Sequence, residues 1–110
     1  MTGEADFQAE VIRQAEAFEW TAMHVRRSVS GQKGRWMTTT SVKGWPDLVL
    51  FKPEVGILYR ELKTDRGRIT AEQRQVLTDL QAAGGNVGIW RPRQWPDILA
   101  TLRTRTRLPL

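Results

Sequence analysis

Three charged residues are spaced as reacting groups would be. Asp47 lies in Trp45-Pro46-Asp47-Leu48, and Glu61 and Lys63 lie in Glu61-Leu62-Lys63. Side chains two apart on a strand share a face, so Glu61 and Lys63 project together. Asp47 opens one strand of a hairpin while Glu61 and Lys63 close the next, and antiparallel pairing sets those two ends side by side. Two carboxylates offer hard oxygen ligands to a divalent ion such as Mg2+, which keeps several positions for water and substrate phosphate. An adjacent lysine can orient or deprotonate an attacking water and balance negative charge in the transition state. The chemistry suggested is phosphodiester hydrolysis. Taken singly, the pieces have ordinary explanations: a Glu-x-Lys pair forms a same-face salt bridge, and an Asp after Pro caps a turn. Their conjunction in hairpin register favours a site.

The elements that must position these groups are legible as periodicity. Residues 2–18 read as a helix: with Phe7 as origin and ~100° per residue, Phe18, Val11 and Ala15 fall in one apolar stripe. Glu4 lands inside that stripe, whereas Glu10 and Glu16 lie off it. An acid there is either welcomed by the helix dipole at the first turn or belongs to a site. Residues 20–27 suit a strand. Residues 28–43 are polar and aperiodic, with Lys33, Arg35 and Trp36 close to Gly31 and Gly34. That mixture suits a nucleic-acid backbone, or a short strand over residues 36–40. Strands over 47–52 and 56–63 are joined by a turn containing Pro and Gly. Thr70-Ala71-Glu72-Gln73 opens a second helix with a capping-box pattern, Val76, Leu77 and Leu80 follow at helical spacing, and Gly84-Gly85 stops it. A strand over 86–91, a helix over 94–102 and a loose basic tail over 103–110 complete the chain. The order α-β-(loop)-β-β-α-β-α predicts one α/β domain over residues 1–110, a mixed sheet flanked by helices.

With 110 residues the chain supports one hydrophobic core. Its formal charge of +5 is unevenly spread, since five acids and one base occupy residues 1–24. Thirteen of the 17 basic residues are Arg, the side chain suited to bidentate phosphate contacts, although a solvated basic surface has the same composition. Arg66 and Arg68, directly after the Glu61-Leu62-Lys63 strand, are the foremost candidates for phosphate contact. Arg26, Arg27, Lys33 and Arg35 come next, and the Arg-rich tail last. The absence of Cys removes disulfides, thiolate nucleophiles and zinc-finger chemistry. No apolar run approaches the ~20 residues that cross a bilayer, and the acidic, polar N-terminus is unlike a secretory signal. A soluble cytoplasmic domain is therefore expected. His24, the single histidine, has no triad around it. Trp20 and Trp90 suit the core, while Trp36, Trp45 and Trp95 suit stacking platforms or a dimer contact. Arg60 shares a strand face with Leu58 and Leu62, which predicts a sheet edge, a subunit interface or a paired acid.

In combination, Pro46-Asp47 and Glu61-Leu62-Lys63 after an N-terminal helix resemble the PD-(D/E)xK nuclease superfamily. More narrowly, the chain resembles the small stand-alone VRR-NUC domains, virus-type replication-repair nucleases often encoded by phages. The matching stretches run from Phe7-Gln8 through Gly44-Trp45-Pro46-Asp47 and Glu61-Leu62-Lys63-Thr64-Asp65-Arg66-Gly67 to Thr70-Ala71-Glu72-Gln73 and Ile89-Trp90-Arg91-Pro92. This resemblance implies a restriction-endonuclease-like core in α-β-β-β-α-β order. It implies Asp47 and Glu61 as metal ligands, Lys63 as the catalytic lysine, and a helix-1 acid completing the site. Glu4 occupies that last place, with Glu10 as the next candidate. Gln73 matches a family glutamine near the site and equally suits the capping box. The family pattern has glycine before the tryptophan that follows helix 1, where this chain has Glu19-Trp20. The implied cofactor is Mg2+, with Mn2+ substituting, and no small-molecule cofactor. The implied activity is metal-dependent endonucleolytic cleavage of branched DNA, a Holliday junction or flap, in phage replication, repair or packaging, by a homodimer in the host cytoplasm. Two alternatives remain: a nicking or single-strand nuclease with little structural preference, and a non-catalytic basic DNA-binding module.

Overall fold

The computed structural model describes residues 3–24, 27–29, 36–38 and 41–109. Helix α1 (Glu4–Ala17) leads into β1 (Thr21–His24), and a short pair, β2 (Arg27–Val29) and β3 (Trp36–Thr38), follows. Next come β4 (Leu48–Lys52), β5 (Gly56–Leu62), α2 (Ala71–Ala82) and β6 (Asn86–Trp90). A 3-10 turn (Pro92–Gln94) then runs into α3 (Trp95–Leu102). The main sheet has the order β1-β4-β5-β6, antiparallel except for the parallel pair β5 and β6. This is the helix-flanked mixed α/β sheet that the element order predicts.

One sheet face is apolar and covered. Phe7, Val11 and Ala15 of α1 pack on Leu48, Leu50, Leu58 and Leu62, and Ile98 and Leu102 of α3 close the same cluster. Trp20 is buried there, with its Nε1 donating to the Leu102 carbonyl at 2.9 Å. Trp95 meets Phe7 edge to face, which makes it a packing residue. On the other face Trp45 meets the Tyr59 ring edge-on. His24 pairs with Leu48, so it shares the core face and not the face of Asp47.

The exit of α1 explains the missing family-pattern glycine. The Trp20 N–H donates to the Ala15 carbonyl and the Glu19 N–H to the Glu16 carbonyl, both at 3.0 Å, a Schellman closure. Its left-handed position falls on Glu19, at φ +71°. Glycine adopts that conformation freely, and glutamate adopts it with strain. The end of α2 repeats the motif with glycine in place: Gly84 has φ +99°, and the Gly85 N–H reaches the Leu80 carbonyl at 2.8 Å.

Of the strand expected over 20–27, residues 21–24 form β1 and Arg27 opens β2, while 25 and 26 lie outside the described residues. The short strand weighed over 36–40 is present as β3, paired with β2 through Arg27↔Thr38 and Val29↔Trp36. Two other expectations are corrected. The tail is not loose. The Leu108 N–H donates to the Val55 carbonyl at 2.8 Å, the Asn86 side-chain amide to the Pro109 carbonyl at 3.0 Å, and Leu108 packs on the core. Arg60 does not lie at a sheet edge, because β4 and β6 flank its strand, and its hydrogen-bond partners among the described residues are carbonyls and an amide oxygen, not an acid. Its Nη1 donates to the Asn86 and Tyr59 carbonyls at 2.8 and 3.0 Å, and its Nη2 to Asn86 Oδ1 at 2.9 Å. Its guanidinium stacks 5.0 Å above the Trp90 ring. Gly88 lies opposite Arg60 in the register, where a Cβ would meet the guanidinium carbon at an ordinary contact distance of 3.5 Å. Burial lowers the Arg60 pKa to about 10, so the cation persists at neutral pH.

Candidate active site

The hairpin of β4 and β5 pairs Leu48 with Arg60. One step beyond, Asp47 comes opposite Glu61, and directly opposed residues of antiparallel strands share a face. Asp47 is held there by its own side chain: Oδ2 accepts the buried Leu62 N–H at 2.9 Å. Glu61 stands on a strand bonded on both sides, across from Ile89 of β6. Lys63 lies one residue past the end of β5, and its N–H extends the parallel ladder to the Trp90 carbonyl at 3.1 Å. The three residues therefore stand at one end of the sheet, each tied to a neighbouring strand. All three are buried: Asp47 is 6% exposed, Lys63 9% and Glu61 0%.

Burial of two acids and a lysine beside an apolar core is costly unless they serve each other or a ligand. Among the described residues, no group of three or more His, Asp or Glu side chains is arranged to hold a metal ion. Glu4 begins α1 and is half-buried. Glu10, also on α1, has its carboxylate occupied by Arg13 and by Gln14 Nε2.

The loop that delivers Asp47 is set by a close approach. Gly44 has φ +88°, and a Cβ on it would lie 2.6 Å from the Glu72 carbonyl carbon and 2.8 Å from the Gln73 nitrogen. Only a glycine lets residues 41–47 lie this near the start of α2. Lys43 reaches Glu72 across the same contact at 3.3 Å, and with the backbone hydrogen bond at Glu72 it holds that carboxyl below its ordinary range. Gln73 is buried and forms the capping box. Its Oε1 accepts the Thr70 N–H at 2.9 Å, and its own N–H donates to Thr70 Oγ1 at 3.1 Å.

Arg66 and Arg68 are exposed on the turn that follows Lys63. Arg27 opens β2, while Arg26, Lys33 and Arg35 lie outside the described residues. Inspection of charge and spacing passed over Arg91, whose Nη1 donates to the Thr64 and Gly67 carbonyls, at 2.7 Å each. Its position in Trp90-Arg91-Pro92, just after a buried strand, was the available signal.

A carboxylate pair in hairpin register, a lysine two residues on and exposed arginines alongside are the parts that phosphodiester chemistry requires. Comparison with curated proteins and with solved structures found no match. The family model of the VRR-NUC domain matches residues 10–94. The matched segment contains Asp47, Glu61, Lys63, Gln73 and Arg91, starts at Glu10 and leaves Glu4 outside. Nucleases of the PD-(D/E)xK type, this family among them, characteristically use divalent metal ions and act on DNA. The chain belongs to the VRR-NUC domain family.

Proposed function

We propose that this nuclease domain is a divalent-metal-dependent DNA endonuclease whose reacting groups are Asp47, Glu61 and Lys63. The observation that carries the reading is the opposition of Asp47 and Glu61 on adjoining strands, with buried Lys63 two residues farther along. The donor pair fits a hard cation: Asp47 and Glu61 would hold Mg2+, or Mn2+ in its place. Glu4, expected as the helix-1 acid, is not grouped with them among the described residues, and Glu10 is engaged by Arg13 and Gln14. A bound divalent ion would acidify water and draw charge from the scissile phosphate. Lys63 orients the attacking water or takes its proton, and its ammonium offsets charge on the phosphate oxygens. Gln73 keeps the start of α2 seated beside the loop that carries Asp47. Arg66 and Arg68 hold the backbone of the DNA, with Arg26, Arg27, Lys33 and Arg35 as further contacts.

For the substrate we favour branched DNA, a Holliday junction or flap, cut during phage replication, repair or packaging in the host cytoplasm. One domain with one site cuts one strand, and paired cleavage of a junction requires two copies related by a two-fold axis. Uncovered apolar side chains at Met23, Phe51 and Ile57 support a homodimer. Among the described residues, no helix is long and apolar enough to cross a membrane.

The test compares wild type, Asp47→Ala and Lys63→Ala on four-way junction, flap, duplex and single strand, with Mg2+, Mn2+ or chelator. Metal-dependent cleavage of the branched substrates by wild type alone is expected. Equal cutting of all substrates would leave a nuclease without structural preference. Retention of DNA with no cleavage in any metal would make the chain a binding module. Sedimentation showing only monomer at working concentration would remove the homodimer.

A further inference from the structure

Lys63 is held in two places. Its backbone N–H is bonded to the Trp90 carbonyl, and its side chain lies under the turn of residues 64–67. A Cβ at Gly67 would stand 3.4 Å from Lys63 Cδ and 3.0 Å from Thr64 Oγ1. The turn thus rests on the stem of the lysine, and a bare glycine makes that approach possible.

Arg91 shapes this turn. Its Nη1 draws in the Thr64 and Gly67 carbonyls at 2.7 Å, with the Asp65 carbonyl at 3.5 Å. Inside the turn, the Gly67 N–H donates to the Thr64 carbonyl at 3.1 Å. The segment bearing Arg91 is braced in turn: its N–H donates to Gln94 Oε1 at 2.8 Å, and the Arg93 N–H donates to Asp65 Oδ1 at 2.9 Å. Charge-assisted bonds from one guanidinium to several carbonyls are strong and directional, so they fix the backbone path of the turn together with the Asp65 carboxylate.

We propose that Arg91 is a positioning residue for Lys63: by gathering the 64–67 turn it presses Gly67 onto the lysine stem and fixes where the ammonium stands beside Asp47 and Glu61. The proposal rests on the nuclease reading above. A lysine stem is flexible, and a reacting group confined before substrate arrives contributes more to the chemical step than one that must be ordered during it. Arg91 itself touches no reacting atom. It acts through the turn, whose outward side presents Arg66 and Arg68.

Two variants separate this role from general stability. Arg91→Gln removes the cation that gathers the carbonyls. Thr64→Ala/Gly67→Ala leaves every Arg91 bond in place, since those acceptors are backbone atoms, removes the 3.0 Å crowding, and inserts a methyl against Lys63 Cδ. Under single-turnover conditions with saturating DNA and Mn2+, both should lower the cleavage rate by about 10–100-fold. DNA affinity should stay within twofold. Arg91→Lys should recover part of the rate, and Thr64→Ala alone should behave as wild type. The second readout needs no cleavage. The chain has four lysines, and after reductive 13C-methylation the Lys63 dimethylammonium resonance, assigned by its loss in Lys63→Ala, should lie apart from the exposed ones in wild type. In both variants it should move toward them.

Unchanged rate and Lys63 resonance in both variants, with Lys63→Ala inactive, would overturn the proposal and leave the nuclease reading intact. A loss confined to DNA affinity would also overturn it, making the turn a DNA contact only. If wild type cut no DNA, the nuclease reading would fall, and the methyl resonance would still decide whether Arg91 positions Lys63.

Discussion

Asp47 performs two tasks that substitution can separate. Its Oδ2 accepts the buried Leu62 N–H at 2.9 Å, and its charge stands across from Glu61. Asp47→Asn keeps an oxygen for Leu62 and discards the charge, whereas Asp47→Ala discards both. A buried amide without an acceptor costs ~1–3 kcal/mol. In chelator, Asp47→Ala should therefore unfold at lower denaturant by about that amount. Asp47→Asn should lose less stability than Asp47→Ala, because it keeps the acceptor for Leu62. Metal then separates wild type from Asp47→Asn. A divalent ion at about ten times its Kd stabilises the fold by RT ln 11, ~1.4 kcal/mol, or ~6 °C of Tm for a domain of this size. Wild type should show that rise in Mn2+ and Asp47→Asn should not, while cleavage by Asp47→Asn falls by ~10²–10³-fold. Thermal melts with and without Mn2+, beside a cleavage assay on the same samples, check each part. An undiminished metal-induced rise in Asp47→Asn would refute the ligand role. Equal stability of the Asn and Ala variants in chelator would refute the role of the Leu62 bond.

The remaining expectations concern other parts of the domain. Lys63→Met should cut at least ~10²-fold more slowly yet keep the metal-induced rise in Tm, since it removes proton and charge chemistry and leaves both carboxylates. Arg66→Ala and Arg68→Ala should each lower the salt dependence of DNA binding by about one phosphate contact, read as the slope of log affinity against log salt. Glu19→Gly should raise stability by ~1 kcal/mol in urea unfolding, because glycine relieves the left-handed strain at φ +71°.

Much of this architecture is legible in the sequence because its causes are local. The β4 and β5 hairpin, the capping box at Thr70 and the glycine stop after α2 are each written within a few neighbouring residues, so register arithmetic alone brings Asp47 to Glu61. The illegible parts depend on distant atoms or on backbone. Arg60 looks misplaced until Asn86 offers its acceptors and Trp90 its ring face, from a strand far along the chain. The C-terminal tail looks like solvated charge until Leu108 finds the Val55 carbonyl. Arg91 is harder still, because its partners are main-chain carbonyls that carry no residue identity. The pairing of β2 with β3 escapes for a different reason: three-residue strands in a polar segment have no apolar alternation to betray them.

The same distinction separates what is rigid in the site from what is adjustable. Glu61 belongs to a strand bonded on both edges, Asp47 is tied to the Leu62 N–H, and Lys63 is tied to the Trp90 carbonyl. The backbone positions of all three can change only if the sheet itself moves, and the packed face of Leu48, Leu50, Leu58 and Leu62 opposes that. Arg66 and Arg68 instead stand exposed on a turn, where sequence can vary without disturbing the core. Substitution at the arginines should therefore alter affinity and substrate preference, while substitution at the strand ends alters the chemical step. A domain divided in this way can acquire new DNA substrates and keep one hydrolytic site, because the charges proposed to hold phosphate and those proposed to cleave it are anchored to different parts of the fold.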